Sequence, residues 1–532
     1  MRESVRWSAV MVLILCAACA RATVGGDRGG TGGGDEGGGG EVGGGGTGGS
    51  GGGGGAPDAA RPTDGPAPDT ATTDAAAPAD TAAPRDAVPP SDAGAPPPPT
   101  ANGPVSCTRR VRATSIAELA AAIGGAVPGD CVVLADGNYT VAAPIVVDRV
   151  GAANQRITVM AETVGGATIT GEAGLTVNAP AAFVTIHGFR ITNRGGLMAG
   201  ANTQNILFTR NALEVPGNGN YMVLGGTDNE ASFNAFTNKS TNGAMLVLDE
   251  DIRGTMRPFV HDNYFFSHTF TGGNGGEAVR VFSILPRVEH NLFEEIHVNG
   301  EMISVKEGGG SRGGLYRFNT FRNCTRGTLT LRYARNDVVE GNFFFNTPGI
   351  RAYGVNQKII NNYLEGGNII LGDGTVGVGY IGIDKAEVSF NTLIGAQITG
   401  QSRPDGVAPK NLRIANNIVV GTSGTAFAQP SPFMNATFEG NIVWGGVSAG
   451  DIPASGFRAV DPQLQMDGSG RYHLGANSPA VNTAVAPVGA APVLEDIEGQ
   501  ARQQPDVGAD ERSTGPVLRR PLTAADVGPK AP

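Results

Sequence analysis

The chain has 532 residues, 83 of them glycine and 34 proline, and a formal net charge of −10. That acidic balance argues against a general surface for nucleic acid or other polyanions. The length allows a large core, but much of the glycine and proline is concentrated before residue 105, so composition already divides the chain.

Residues 1–22 read as an export signal: Arg2 and Arg6 precede the apolar run Val10-Met11-Val12-Leu13-Ile14-Leu15, which is too short to span a bilayer. Its end has two readings. Ala20-Arg21-Ala22 suits cleavage after small residues, and Leu15-Cys16-Ala17-Ala18-Cys19 resembles a lipoprotein box with Cys19 lipidated. The expected location is therefore outside the cytoplasm, as a cell-surface or outer-membrane lipoprotein or a secreted or periplasmic protein, with the membrane touched only through the anchor. Residues 23–104, first nearly pure glycine and then Pro, Ala, Asp and Thr, hold too little apolar surface to offset the entropy of ordering and read as a disordered linker.

Three cysteines follow. In an oxidising compartment Cys107 and Cys131 would close a disulfide that ties the start of the domain to its first strand; the alternative is two unpaired small hydrophobes. Cys324 reads as a buried thiol.

An amphipathic stretch from Ser115 to Ile123, with Ser115 as N-cap and Glu118 three residues on, predicts a short helix covering the domain's open end. Beyond it a short pattern recurs, Asn-x-apolar, at Asn211, Asn234, Asn263, Asn291, Asn319, Asn342, Asn362, Asn391, Asn417 and Asn441, at intervals of 20 to 29 residues. Self-similarity at this period marks a solenoid. Segments such as Phe183 to Ile191 and Ile381 to Phe390 alternate with period two and are rich in β-branched residues. The fold class expected is all-β, a single-stranded right-handed parallel β-helix with an N-terminal capping helix. Equivalent side chains then stack roughly 4.8 Å apart and the asparagines form an internal amide ladder. The β-helix domain is expected over residues 105–512, with 513–532 a loose tail.

Within Asn274 to Arg351, eight basic residues stand against three acidic ones between Lys306 and Arg351, marking where an anion would bind. In an extended strand Asn299, Glu301, Ile303 and Val305 share one face and Met302, Ser304 and Lys306 the other, unless a bend intervenes. If the coils stack, Lys306 and Arg332, each ending a strand, would meet.

Several segments occur in a characteristic order: Pro128-Gly129-Asp130, Leu134 to Tyr139, Ala161-Glu162-Thr163, Asn238-Lys239-Ser240, Asn274-Gly275-Gly276-Glu277, Glu301 to Lys306, Asn319-Thr320-Phe321, Leu329-Thr330-Leu331-Arg332 and Gly349-Ile350-Arg351. Over residues 110 to 450 the chain resembles polysaccharide lyase family six, which holds alginate lyases and chondroitinase B. The resemblance implies Lys306 as general base and Arg332 as proton donor or stabiliser of the leaving oxygen. It implies a calcium ion on Asn274, Asn299 and Glu301, and Arg351, Arg280 and Tyr333 near the substrate. Three departures stand out, one of them four or five extra residues, within Glu307 to Gly314 and near Thr325, that lengthen the connection between Lys306 and Arg332. Asn299 occupies the place of a family glutamate, which removes one negative charge and weakens calcium, and Tyr333 replaces the usual histidine. Strand alternation would also point Tyr333 away from Arg332's face.

A uronate lyase removes the C5 proton beside a carboxylate and expels the C4 oxygen. The proton is weakly acidic because its loss builds a second negative charge, so cations at the carboxylate and a neutral lysine are needed. The expected partner is an anionic uronate polysaccharide, alginate ahead of dermatan or chondroitin sulfate, acted on by a monomer. Alternatives are a non-catalytic polysaccharide-binding β-helix, which Asn299 favours, and a β-helix hydrolase, which would need aspartates that residues 299–332 lack. His187, His261, His268, His290 and His297 lack metal-ligand spacing and read as surface or turn residues.

Overall fold

The computed structural model describes residues 105–249, 255–272, 276–306, 311–375, 380–401, 406–486 and 492–532. The expected signal, Cys19 and the linker lie outside these residues, as does Asn274.

Three long parallel sheets, of 14, 14 and 12 strands, run along a solenoid, and each coil contributes one short strand to each in turn. This is the parallel β-helix expected from the period-two segments. The capping helix is present at Ile116–Gly124, with the Ser115 side chain accepting from the Glu118 amide at 3.2 Å. Leu119 and Ile123 are buried in the main core and close its first coil. Cys107 and Cys131 are joined, which fastens residue 107 to the strand Asp130–Leu134. Cys324 is buried and unpaired, and burial pushes its thiol up to about 12.

One corner recurs between the first and second sheets. Arg210, Phe233, Asp262, His290, Phe318, Asn361, Phe390 and Asn416 each take a left-handed conformation with φ between 52° and 58°, and each is followed by one of the recurring asparagines. A left-handed residue with a side chain costs roughly 1–2 kcal/mol, and the asparagine offsets this. From Asn211 to Asn417 each asparagine donates its backbone N–H and its side-chain NH2 to the Oδ1 of the asparagine one coil on. For Asn291 to Asn319 these bonds are 3.0 and 3.1 Å. All ten asparagines are fully buried. The apolar residue two places on stacks likewise: Phe236, Phe265, Phe293, Phe321 and Phe344 form a column with centroids 4.6 to 4.7 Å apart.

The tail is not loose. Past the antiparallel pair Leu464–Met466 and Tyr472–Leu474, residues 492–532 return along the outer face of the second sheet, which carries aromatic side chains that need cover. Ile497 and Ala509 pack on Phe343 and Tyr363, and Leu522 and Val527 on Leu292. Arg502, wholly buried, donates to the carbonyls of Gly508 and Ala509, to Asn361 and to Glu511. Gly528 N–H donates to the Asp262 carbonyl, and Arg210 to that of Ala531.

Candidate active site

The third sheet carries the predicted residues on its outer face. Its strands Gly276–Phe282, Ile303–Val305, Leu329–Leu331 and Gly349–Ala352 pair in parallel, with Arg280, Ser304, Thr330 and Arg351 in one row. Lys306, Arg332 and Tyr353 follow in the next outward row, each joined to the coil before by its backbone N–H, to Val281, Val305 and Leu331. The lysine and the arginine thus stand on consecutive coils at the same place.

The simple alternation predicted for Asn299 to Lys306 is broken at Met302. Met302 and Ile303 are both fully buried in the core, so the strand bends and Glu301 comes round to the face of Ser304 and Lys306. The turn before it is tight: a Cβ on Gly300 would lie 2.1 Å from the Gly276 carbonyl oxygen, so only glycine lets the coils stack here.

The bend puts two buried carboxylates, Glu277 and Glu301, each 2% exposed, among four cations. Lys306 Nζ lies 3.0 Å from Glu277 Oε1 and 3.8 Å from Glu301 Oε2. Arg280 Nη2 donates to Glu277 Oε2 at 2.5 Å. Arg332 grips Glu301 Oε1 through Nε, at 3.1 Å, and Nη2, and Arg351 Nη2 reaches the same oxygen at 3.0 Å. Ser304 Oγ donates to Glu301 Oε2 at 3.0 Å. Burial alone would raise the Glu301 carboxyl, but Arg332, Lys306 and Arg351 outweigh it and hold the group below the ordinary carboxylate range. Burial would likewise lower Arg332, yet the Glu301 charge raises it further above its ordinary value.

Of the expected calcium ligands, Asn274 lies outside the described residues, and Asn299 and Glu301 are engaged with other partners. Asn299 is exposed, its Oδ1 accepting from Arg326 at 2.7 Å and its amide donating to the Thr271 carbonyl. The Glu301 oxygens already accept from two guanidinium groups and a serine. Calcium takes about six to eight oxygen ligands. The described donors are one enclosed carboxylate and one amide turned to an arginine, and the four cations already outnumber the two carboxylates.

Aromatic residues absent from the sequence reading complete this face. Arg332 Nη1 donates to the Tyr380 hydroxyl at 2.9 Å. The Tyr380 ring stacks on Tyr333 at 5.6 Å and lies 5.2 Å from Tyr353, whose hydroxyl donates to Gln401 at 2.6 Å. Tyr333 therefore does not turn away from Arg332 as alternation predicted; the chain bends after the strand, and both reach Tyr380. Tyr353 was findable, two residues past Arg351 on the same face. Tyr380, in an irregular glycine-rich connection, had no periodic signal.

Two other polar clusters are structural. His268 is fully buried rather than at the surface, its ring bonded to the carbonyls of Lys239 and Gly243, and burial pushes it down to about 4. His473, Glu498 and Asp510 are the one group among the described residues with three metal-type ligand atoms within 4.8 Å of one another. That group is filled by Arg471, 2.5 Å from Glu498, and by the imidazole's own bonds to Asp510 and Asp467.

The profile of the chondroitinase B family matches residues 113–399, just over half of the chain and the whole cluster from Glu277 to Arg351. Similar solved structures include the family 6 alginate lyase AlyGC, with a TM-score of 0.61 at 21% identity over 78% of this chain and 60% of that one. A mannuronic acid-specific family 6 lyase from the human gut microbiota gives 0.54 at 22% identity, over 66% and 91% of the two chains. The family 6 polysaccharide lyase of Pseudopedobacter saltans gives 0.57 at 19%, over 80% and 99%. The chain thus spans less than two-thirds of the length of AlyGC, and at these identities the likeness is one of fold. No curated protein matches it. The fold and the family profile together establish that the chain belongs to the chondroitinase B family.

Proposed function

We propose that the chain is a lyase that cleaves uronate polysaccharides by β-elimination. One observation carries this reading: Lys306 and Arg332, on consecutive coils, converge on the single carboxylate of Glu301. An amine and a guanidinium are thereby held on one side of the sheet, within reach of one sugar ring. Lys306 takes the C5 proton, the electrons form the C4=C5 double bond, and the C4–O4 bond breaks. The lysine must be neutral to do this.

Loss of the C5 proton gives a dianion-like intermediate, and the excess of positive charge over Glu277 and Glu301 stabilises it. The guanidinium group of Arg351 suits a uronate carboxylate, with Arg280 holding Glu277 in place. These groups would share the neutralising role with a calcium ion on Asn274, Asn299 and Glu301, and a chelator measures the ion's part in the rate. Export, with or without a lipid on Cys19, would put this face where extracellular polymer is found. Alginate is the first polymer to test, because solved structures sharing the fold are described as alginate lyases.

The test incubates the purified full chain with alginate, its polymannuronate and polyguluronate blocks and dermatan sulfate, with and without a chelator, and follows absorbance of the new double bond. The reading predicts unsaturated product from at least one uronate polymer. New reducing ends without unsaturation would replace it by hydrolysis, and retention on polymer with no product would replace it by a binding module.

A further inference from the structure

A guanidinium is a poor source of protons, and Arg332 is doubly committed to Glu301, whose charge holds its proton more firmly still. Yet the oxygen leaving C4 must be protonated for the cut to complete. The remaining edge of Arg332 points at a group that can supply a proton, the Tyr380 hydroxyl 2.9 Å from Nη1. Because that oxygen accepts from Arg332, its own hydrogen is directed away from the guanidinium. The ring is held on two sides by Tyr333 and Tyr353, so the hydroxyl has a defined place. Tyr380 is only half-buried, and it also borders an open cleft of about 220 Å3 with Val355, Asp384 and Lys410.

We propose that Tyr380 is the catalytic acid, donating its hydroxyl proton to the leaving O4 while Arg332 stabilises the negative charge developing there. This rests on the lyase reading above. In the balanced step Lys306 gains the C5 proton, the C–H pair becomes the C4=C5 bond, the C4–O4 pair leaves with oxygen, and that oxygen takes the proton of Tyr380. The phenolate, stabilised by the Arg332 N–H, recovers a proton from water, and Lys306 returns its own to water. Tyr333 acts as a positioning residue, packed on the face of the acid's ring.

The test compares the full-length wild type and Tyr380→Phe on two substrates. One is the uronate polymer that the wild type cleaves. The other is an oligouronate whose non-reducing-end residue carries fluoride at C4, a leaving group that needs no proton, followed by fluoride release. General acid catalysis is typically worth 10²–10⁴-fold, so kcat on the polymer should fall by about 10²-fold or more with KM changed by less than about threefold. Fluoride release should stay within about twofold of the wild type, since no acid is required for it. An equal loss on both substrates would overturn the proposal, because it would mean that Tyr380 only positions Arg332. An undiminished kcat on the polymer would overturn it as well. Absence of unsaturated product from the wild type on every polymer is a different failure and would remove the lyase reading itself.

Discussion

The corner between the first and second sheets and the outer face of the third sheet use the same stacking register to opposite ends. At the corner the same side chain returns on every coil from Asn211 to Asn441, neutral and buried, and each amide meets the oxygen of the next. On the third sheet equivalent places hold different residues, Arg280, Ser304, Thr330 and Arg351 in one row. Two carboxylates there must serve four cations. Repetition yields a satisfied scaffold; variation on it concentrates charge where a ligand can use it. The corner should then govern stability and the charged face chemistry.

The sharpest separation should come from Arg332→Ala. Removing a donor aimed at developing charge typically costs about 10²–10³-fold in rate, so kcat/KM should fall by that much. The change in thermal unfolding should be smaller than for the core changes below, because Lys306, Arg351 and Ser304 still hold the buried Glu301 carboxylate. A large drop in melting temperature would blur the division. The converse change is Phe293→Ala, in the middle of the stacked column. Truncating a buried phenylalanine costs about 3–5 kcal/mol, readable by chemical denaturation, while the folded fraction should keep its turnover. Breaking one rung with Asn319→Ala leaves buried donors and acceptors unpaired, a loss of about 1–3 kcal/mol, again without a change in turnover.

The smallest effect probes a place where the scaffold itself departs from neutrality. Asn229 and Gln357 each precede a first-sheet strand and donate their side-chain NH2 to backbone carbonyls. Asp337 holds the corresponding place and is pushed up to about 7 by burial, with one oxygen lacking a partner. Its folded-state value lies above its unfolded one, so ionisation opposes folding. The cost is absent near pH 4 and grows as pH rises towards 7. Asp337→Asn should therefore raise stability at pH 8 and leave it almost unchanged at pH 4. A pH-independent difference between the two proteins would show that Asp337 does not titrate in this range.

The repeat was legible because it is local: Asn-x-apolar and period-two alternation are both written within one coil, and stacking only multiplies them. The pairing of Lys306 with Arg332 was legible for the same reason, each ending an equivalent strand. What escaped lies where the chain leaves the pattern. The bend that buries Met302 beside Ile303 turned Glu301 to the other face, an outcome fixed by core packing and invisible to alternation. Asn299 carried the type of a calcium ligand, but its partner Arg326 is one coil away. Tyr380 comes from a connection with no repeat. The return of residues 492–532 depends on Arg502 and on apolar contacts hundreds of residues distant, which no local spacing encodes.

The most direct measurement is the early time course of double-bond absorbance on polymannuronate and polyguluronate, for the wild type and for Lys306→Met, at one pH and equal folded concentration. The account predicts steady formation of unsaturated ends by the wild type on at least one polymer, and none above background once the amine is gone. Unsaturated ends formed at the same rate by both proteins would contradict it, since the proton at C5 would then be leaving by a route that does not involve Lys306.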